Sequence, residues 1–122
     1  MILVDTSTWI EYFRGALPGL GSALARGEVH SHPWVTAELA LGTMRDRDVR
    51  LSALDQLQPA VEASIGETRR LVDRHRLHGR GIGLVDAQLI ASARLTACRL
   101  WTLDRKLGSA ARDVGVDVVG VD

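Results

Sequence analysis

Cysteine is almost absent: Cys98 stands alone, so no internal disulfide can staple the chain, and its expected role is core packing in a reducing compartment. No apolar run approaches the ~18 residues needed to span a bilayer, and the first residues carry neither a basic segment nor a small-residue cleavage site. A cytoplasmic protein with no membrane partner is expected. An excess of either charge is missing too, with 15 basic residues against 15 acidic and a net charge of zero. The chain as a whole therefore exerts no pull on nucleic acid, and any such contact must be local. Lysine occurs once, at Lys106. The other basic residues are arginines, which suit phosphate well, although an Arg-rich genome accounts for them more simply.

What is present describes an ordinary globular protein. At 122 residues, 46% hydrophobic and 25% charged, the chain predicts one domain over residues 1–122 with a single core. Ile2-Leu3-Val4 reads as a short strand buried on both faces, with Asp5 at its carboxyl end. Thr8-Trp9-Ile10-Glu11 fits a capping box, predicting a helix from Thr8 to Arg14 that buries Trp9, Ile10 and Phe13. Further helices are predicted over Leu20 to Arg26, Trp34 to Met44, Val49 to Leu57, Glu62 to Leu77, Asp86 to Thr96 and Arg105 to Asp113. Strands are predicted at Val29–His32, Ala60-Val61, Leu100–Leu103 and Val116–Val121. Alternation of the two predicts an α/β fold, a three-layer α/β/α sandwich around a mostly parallel sheet.

Four carboxylates stand where a solvated charge is not expected. Asp5 and Asp104 follow apolar strands, and Glu38 and Asp86 lie in apolar surroundings, Val35 to Leu41 and Leu84 to Ala87. Parallel strands would bring Asp5 and Asp104 to one edge, toward which the helix-borne pair can turn. Four like charges repel, so such a cluster calls for cations, and hard oxygen ligands without Cys or convergent His suit Mg²⁺ or Mn²⁺. Metal-assisted phosphodiester hydrolysis is the reaction class this points to. Plainer roles compete: Asp86 and Asp104 also fit helix N-caps. His30 with His32, and His75 with His78, have the spacing of metal pairs but lack a third ligand.

Val4-Asp5-Thr6-Ser7, Glu38-Leu39-Ala40-Leu41-Gly42, Asp86 to Ala93 and Thr102-Leu103-Asp104 resemble, in order and spacing, the four motifs of the PIN domain. The length and the start on the first strand resemble the VapC toxins of bacterial toxin–antitoxin pairs. That resemblance implies a Mg²⁺- or Mn²⁺-dependent endoribonuclease with Asp5, Glu38, Asp86 and Asp104 as catalytic and metal-binding residues. It implies supporting hydrogen bonds from Thr6, Ser7 and Thr102, and products with a 3′ hydroxyl and a 5′ phosphate. A homodimer is implied, together with a VapB-like antitoxin partner and an RNA substrate (tRNA, rRNA or mRNA) whose cleavage stops translation and growth. Trp9, Tyr12, Phe13 and Trp34 are candidates for a dimer face.

Two positions depart from the pattern: Lys106 and Leu107 stand where many relatives have an acid and an aromatic, which weakens the case for a second metal. RNA backbone contacts are expected from Arg14, Arg45, Arg47, Arg80 and Arg105, and from Lys106. Other classes fit less well. A haloacid-dehalogenase-like phosphatase needs an acid where Ser7 stands, and a receiver domain needs paired acids near the first strand. A PIN-like module that binds RNA or a partner without cutting remains the alternative.

Overall fold

The computed structural model describes residues 1–122. The chain runs β1 (Ile2–Val4), α1 (Thr6–Phe13), α2 (Pro18–Ala25), β2 (Val29–His30), α3 (Pro33–Leu41), α4 (Arg47–Asp55), α5 (Ile65–His75), α6 (Leu84–Thr96), β3 (Arg99–Trp101), α7 (Arg105–Asp113) and β4 (Val118–Val119). The strands pair in parallel in the order β2-β1-β3-β4, with Ile2 opposite both Val29 and Arg99, and Leu100 opposite Val118. Every residue of β1 is at most 2% exposed. Successive strand residues face opposite ways, so both faces of the central strand are covered, as the α/β/α expectation requires.

From β1 the chain goes out on one side to β2 and returns on the other to β3. The strand order therefore reverses at β1, and a crevice opens outside the carboxyl ends of β1 and β3, where open α/β sheets bind their ligands. Asp5 N–H donates to Trp101 O at 3.0 Å, which locks the end of β1 beside the end of β3. Asp5 and Thr102 thereby become neighbours 97 residues apart in sequence.

Several elements differ from expectation, each for a local reason. Helix α1 starts two residues early because Asp5, and not Thr8, is its N-cap, accepting the Thr8 N–H at 2.9 Å. Thr8 is fully buried, donating its hydroxyl to Trp101 O. Ile10 turns outward at 38% exposure, whereas Trp9 is core at 2% and thus closed to any dimer face. Helix α3 ends at Leu41, with Gly42 as its C-cap, three residues short of Met44.

No strand forms at Ala60-Val61; a single bridge joins Ser31 to Pro59. Proline has no N–H to extend the ladder; Ala60 N–H still reaches Ser31 O at 2.8 Å, but beyond it Val61 N–H goes to Thr96 Oγ1 and Ala63 N–H to Gln88 Oε1. Helix α5 begins at Ile65 because Ser64 and Glu67 complete a capping box there, so α6, at 13 residues, is the longest helix.

The last strand is short because Gly120 ends it with φ +103. A Cβ at Gly120 would lie 2.3 Å from Thr102 O and 2.8 Å from Trp101 Cδ1. Gly120→Ala is expected to cost about 2 kcal/mol in urea denaturation, limited to that because the short tail can peel away from β3 without opening the core.

Candidate active site

The site grows out of the β1 and β3 ends. Asp5, 4% exposed, is the buried acid. Its Oδ2 accepts the Thr102 hydroxyl at 2.5 Å, its Oδ1 accepts the Thr8 N–H, and the Ser7 hydroxyl reaches Oδ1 at 2.8 Å. Each donor is itself placed by backbone: Thr102 Oγ1 accepts Asp104 N–H, and Ser7 Oγ accepts Leu103 N–H at 3.2 Å. Asp104 caps α7, its Oδ1 accepting the N–H groups of Lys106 and Leu107.

Helix α6 brings Asp86 in at its third position, where Oδ2 accepts Gly83 N–H at 3.1 Å. That is half a capping box, since Gly83 has no side chain to supply the other half. Helix α3 presents Glu38, whose Oε1 accepts the Thr6 hydroxyl at 2.6 Å across 32 residues of sequence. Thr6, Ser7 and Thr102 thus each hydrogen-bond an acid directly.

The four acids share one electrostatic field. Burial pushes the Asp86 carboxyl above its ordinary value, the Gly83 N–H opposes this, and Asp104, Asp5 and Glu38 all push it further up. None of the four forms an ion pair, although four Arg-to-carboxylate pairs exist elsewhere in the molecule. Asp86 Oδ1, Glu38 Oε2 and Asp104 Oδ2 accept no hydrogen bond from the protein.

As the side chains stand, no three acidic, His or Cys groups are close enough to share one ion. The four-acid cluster of the sequence reading is therefore a convergence of charge and not a closed coordination shell. Unscreened carboxylates spread apart: Asp5, Asp86 and Asp104 turn to the donors of the helix starts they occupy, and Glu38 turns to the Thr6 hydroxyl. The donor chemistry nonetheless suits a hard cation: carboxylate oxygens only, with three of them free to turn inward.

A stability consequence follows for Asp86. Because its folded-state pKa is raised, the folded chain holds that proton longer than the unfolded chain, and stability falls as pH rises through the interval between the two values. Above both values the penalty is complete. Asp86→Asn keeps an acceptor for Gly83 N–H and escapes the penalty, so the metal-free variant is expected to melt above the parent at neutral pH and to converge with it in acid. Added Mn²⁺ should raise the parent's melting temperature and leave the variant's unmoved.

The basic residues sort by what already holds them. Arg47 donates twice to Ala40 O and pairs with Asp48, tying the α3–α4 turn together. Arg80 pairs with Asp113 at 2.7 Å and donates to Ser109, so it braces α7. Arg14 pairs with Glu11, in the open. Arg45, Arg105 and Lys106 are exposed with no acidic partner, and the Lys106 stem lies over Gly81.

The histidines do not converge. His30 Nδ1 donates to Gln58 O, and His75 accepts from Arg94. His32 belongs to a buried polar chain that sequence pattern left unseen: Trp34 N–H donates to His32 Nδ1, and His32 Nε2 donates to Ser92 Oγ at 3.1 Å. Ser92 then donates to Gln88 Oε1. All three side chains are fully buried, so this serine–histidine contact has no access to a substrate. Gln88 and Ser92 amid the small residues of α6 were the one available signal, since a polar pair one turn apart on a buried helix must find partners.

A parallel sheet that reverses at β1, with acids gathered at that crevice, is the architecture of a PIN domain, and the chain belongs to this family, whose model matches residues 2–113. The motif resemblance therefore stands. Over 117 residues the chain is 47% identical to Ribonuclease VapC32 of Mycobacterium tuberculosis, strains CDC 1551 / Oshkosh and ATCC 25618 / H37Rv, covering 95% of this chain and 94% of that protein.

Among solved structures, FitAB bound to an IR36 DNA fragment matches with a TM-score of 0.66 at 20% identity, over 98% of this chain and 94% of that one. FitAcB from Neisseria gonorrhoeae matches at 0.64 and 19%, over 97% and 96%. At such identity these two attest the fold alone. No helix is long and apolar enough to cross a membrane.

Proposed function

We propose that this protein is a divalent-metal-dependent endoribonuclease acting as the toxin of a toxin–antitoxin pair. The observation that carries the chemistry is a set of four carboxylates converging on one crevice without a single cationic partner. Asp5 is buried and Asp86 half-buried, while Glu38 and Asp104 are exposed; clustered charge of one sign is costly even so, and a cation is what makes it tolerable. The relative named a ribonuclease, at 47% identity across nearly the whole chain, supports the choice of RNA and the toxin role.

In this reading Asp5, Glu38, Asp86 and Asp104 hold Mg²⁺ or Mn²⁺. When bound, the ion makes water a competent nucleophile near neutral pH and neutralises charge on the phosphoryl group in flight. The chain's own residues do the positioning. Ser7 and Thr102 hold both oxygens of Asp5. Thr6 holds Glu38 by one oxygen and leaves the other turned free. Asp86, whose charged form is disfavoured by burial and by the other three acids, is the ligand whose charge a bound cation would relieve most.

Exposed Arg45, Arg105 and Lys106 receive RNA phosphates, and Arg14 does so at the cost of its pair with Glu11. An antitoxin partner and a homodimer complete the proposal. The test is cleavage of total bacterial RNA by the purified protein with Mn²⁺, Mg²⁺ or EDTA. Discrete fragments that require the metal are expected; no metal-dependent fragments together with no Mn²⁺ binding would leave a binding module as the better reading.

A further inference from the structure

Ten of the fourteen arginines have no carboxylate partner, and two of these ten share one cleft. Arg45 and Arg50 both line a cleft of about 430 Å³ that is also lined by Arg14 and by Glu38, one of the four clustered acids. Neither has an acidic partner within ion-pair distance. Arg50 is held instead over the Phe13 ring, its guanidinium carbon 4.8 Å from the centroid, so its position is fixed while its N–H fork stays unspent. The floor is apolar, built from Phe13, Met44 and the outward-turned Ile10. Ile10 at 38% exposure is a departure from its expected burial, and this cleft is where it goes.

We propose that this cleft is the base-binding subsite of the nuclease and takes one unstacked nucleotide of a single-stranded or looped RNA. This rests on the nuclease reading and assigns the side chains that seat its substrate. The apolar floor suits the face of a base, and Arg45 and Arg50 suit its flanking phosphates, since each guanidinium presents a planar fork with no ion-pair partner. The volume lies in the range that encloses one small ligand. A double helix keeps its bases stacked and cannot insert one without first opening. Because Glu38 lines the cleft, a base seated there would deliver the adjoining phosphodiester to the acid cluster, and the cleft would select which phosphate is presented.

The proposal is tested by fluorescence anisotropy in EDTA, with a short fluorescein-labelled single-stranded oligoribonucleotide of mixed sequence and the same strand annealed into a duplex. Arg45→Ala and Arg50→Ala are each expected to weaken single-strand binding by about 10-fold and to lower the salt dependence of binding. Arg50→Lys should recover part of the loss by restoring charge without the planar fork. Arg69→Ala, on the exposed face of α5, should bind as the parent does. Melting temperature and Mn²⁺ affinity should stay unchanged in all four, which a merely structural role for Arg50 would not allow.

Parent-like affinity in both alanine variants would overturn the proposal and return the cleft to a protein partner. An equal loss in Arg69→Ala, duplex binding with the same dependence on Arg45 and Arg50, or no single-strand binding by the parent would also overturn it. The nuclease reading is judged separately by cleavage: fragments with Mn²⁺ alongside unaffected Arg variants would remove the subsite and leave the nuclease.

Discussion

Asp5→Asn leaves the fold standing and lowers metal-dependent RNA cleavage by more than about 100-fold, as expected when a charge that anchors a cation worth several kcal/mol is neutralised. Asparagine has the shape of aspartate and retains one oxygen, so the Thr8 N–H keeps its cap and α1 keeps its start. What changes is the charge and the second oxygen. The Thr102 hydroxyl, which already accepts Asp104 N–H, now faces an amide that has only protons to offer. Mn²⁺ affinity measured by calorimetry should fall with activity, while the metal-free variant melts within a few degrees of the parent. Cleavage that persists at parental rates would remove Asp5 from the centre of the chemistry.

His32→Ala is expected to be the most damaging single change to stability, at about 4 kcal/mol in urea denaturation. A fully buried ring is lost and a cavity remains, and the Trp34 N–H and the Ser92 hydroxyl each lose a partner. Set against a typical total of roughly 5–15 kcal/mol, that is a large share. His32→Asn, whose oxygen can still cap α3 but cannot span to Ser92, should lose about half as much.

Acid adds a second signature. Burial holds the His32 imidazole below its ordinary pKa, against the opposing pull of Gln88 and Glu62. The folded chain therefore binds fewer protons there than the unfolded chain. The corresponding stability is present above the ordinary imidazole range and is withdrawn as pH falls below it. His32→Asn should flatten the stability profile across that interval.

Much of the fold was legible because its signals are local. Ile2-Leu3-Val4 allows only a doubly buried strand, and Asp104 with Arg105 to Asp113 marks a capped helix that forms over those same residues. Long-range demands were less visible. Thr8 has the chemistry of a cap, but Trp101 O, 93 residues away, claims its hydroxyl and Asp5 takes the cap. Ala60-Val61 has strand composition, yet Thr96 and Gln88 on α6 claim the neighbouring amides.

The four acids could be listed from sequence as charges in apolar places. Their electrostatic coupling through Asp86 depends on where helices α3 and α6 end up, which no window of sequence contains. The arginines show the same limit, since only contacts reveal that Arg47 and Arg80 are already occupied and that Arg50 is not.

The central pairing of β1 with β3 joins Ile2 to Arg99 and Val4 to Trp101, stretches of chain separated by nearly the full length of the fold. Bringing them together requires closing a long loop before either strand is rewarded, which places the step late and makes it slow relative to the helices. The bonds that orient Asp5 depend on that closure, so no partly folded chain carries an ordered site. Catalytic competence is thereby tied to completion of folding, and a local opening that parts β1 from β3 silences the centre before the helices melt.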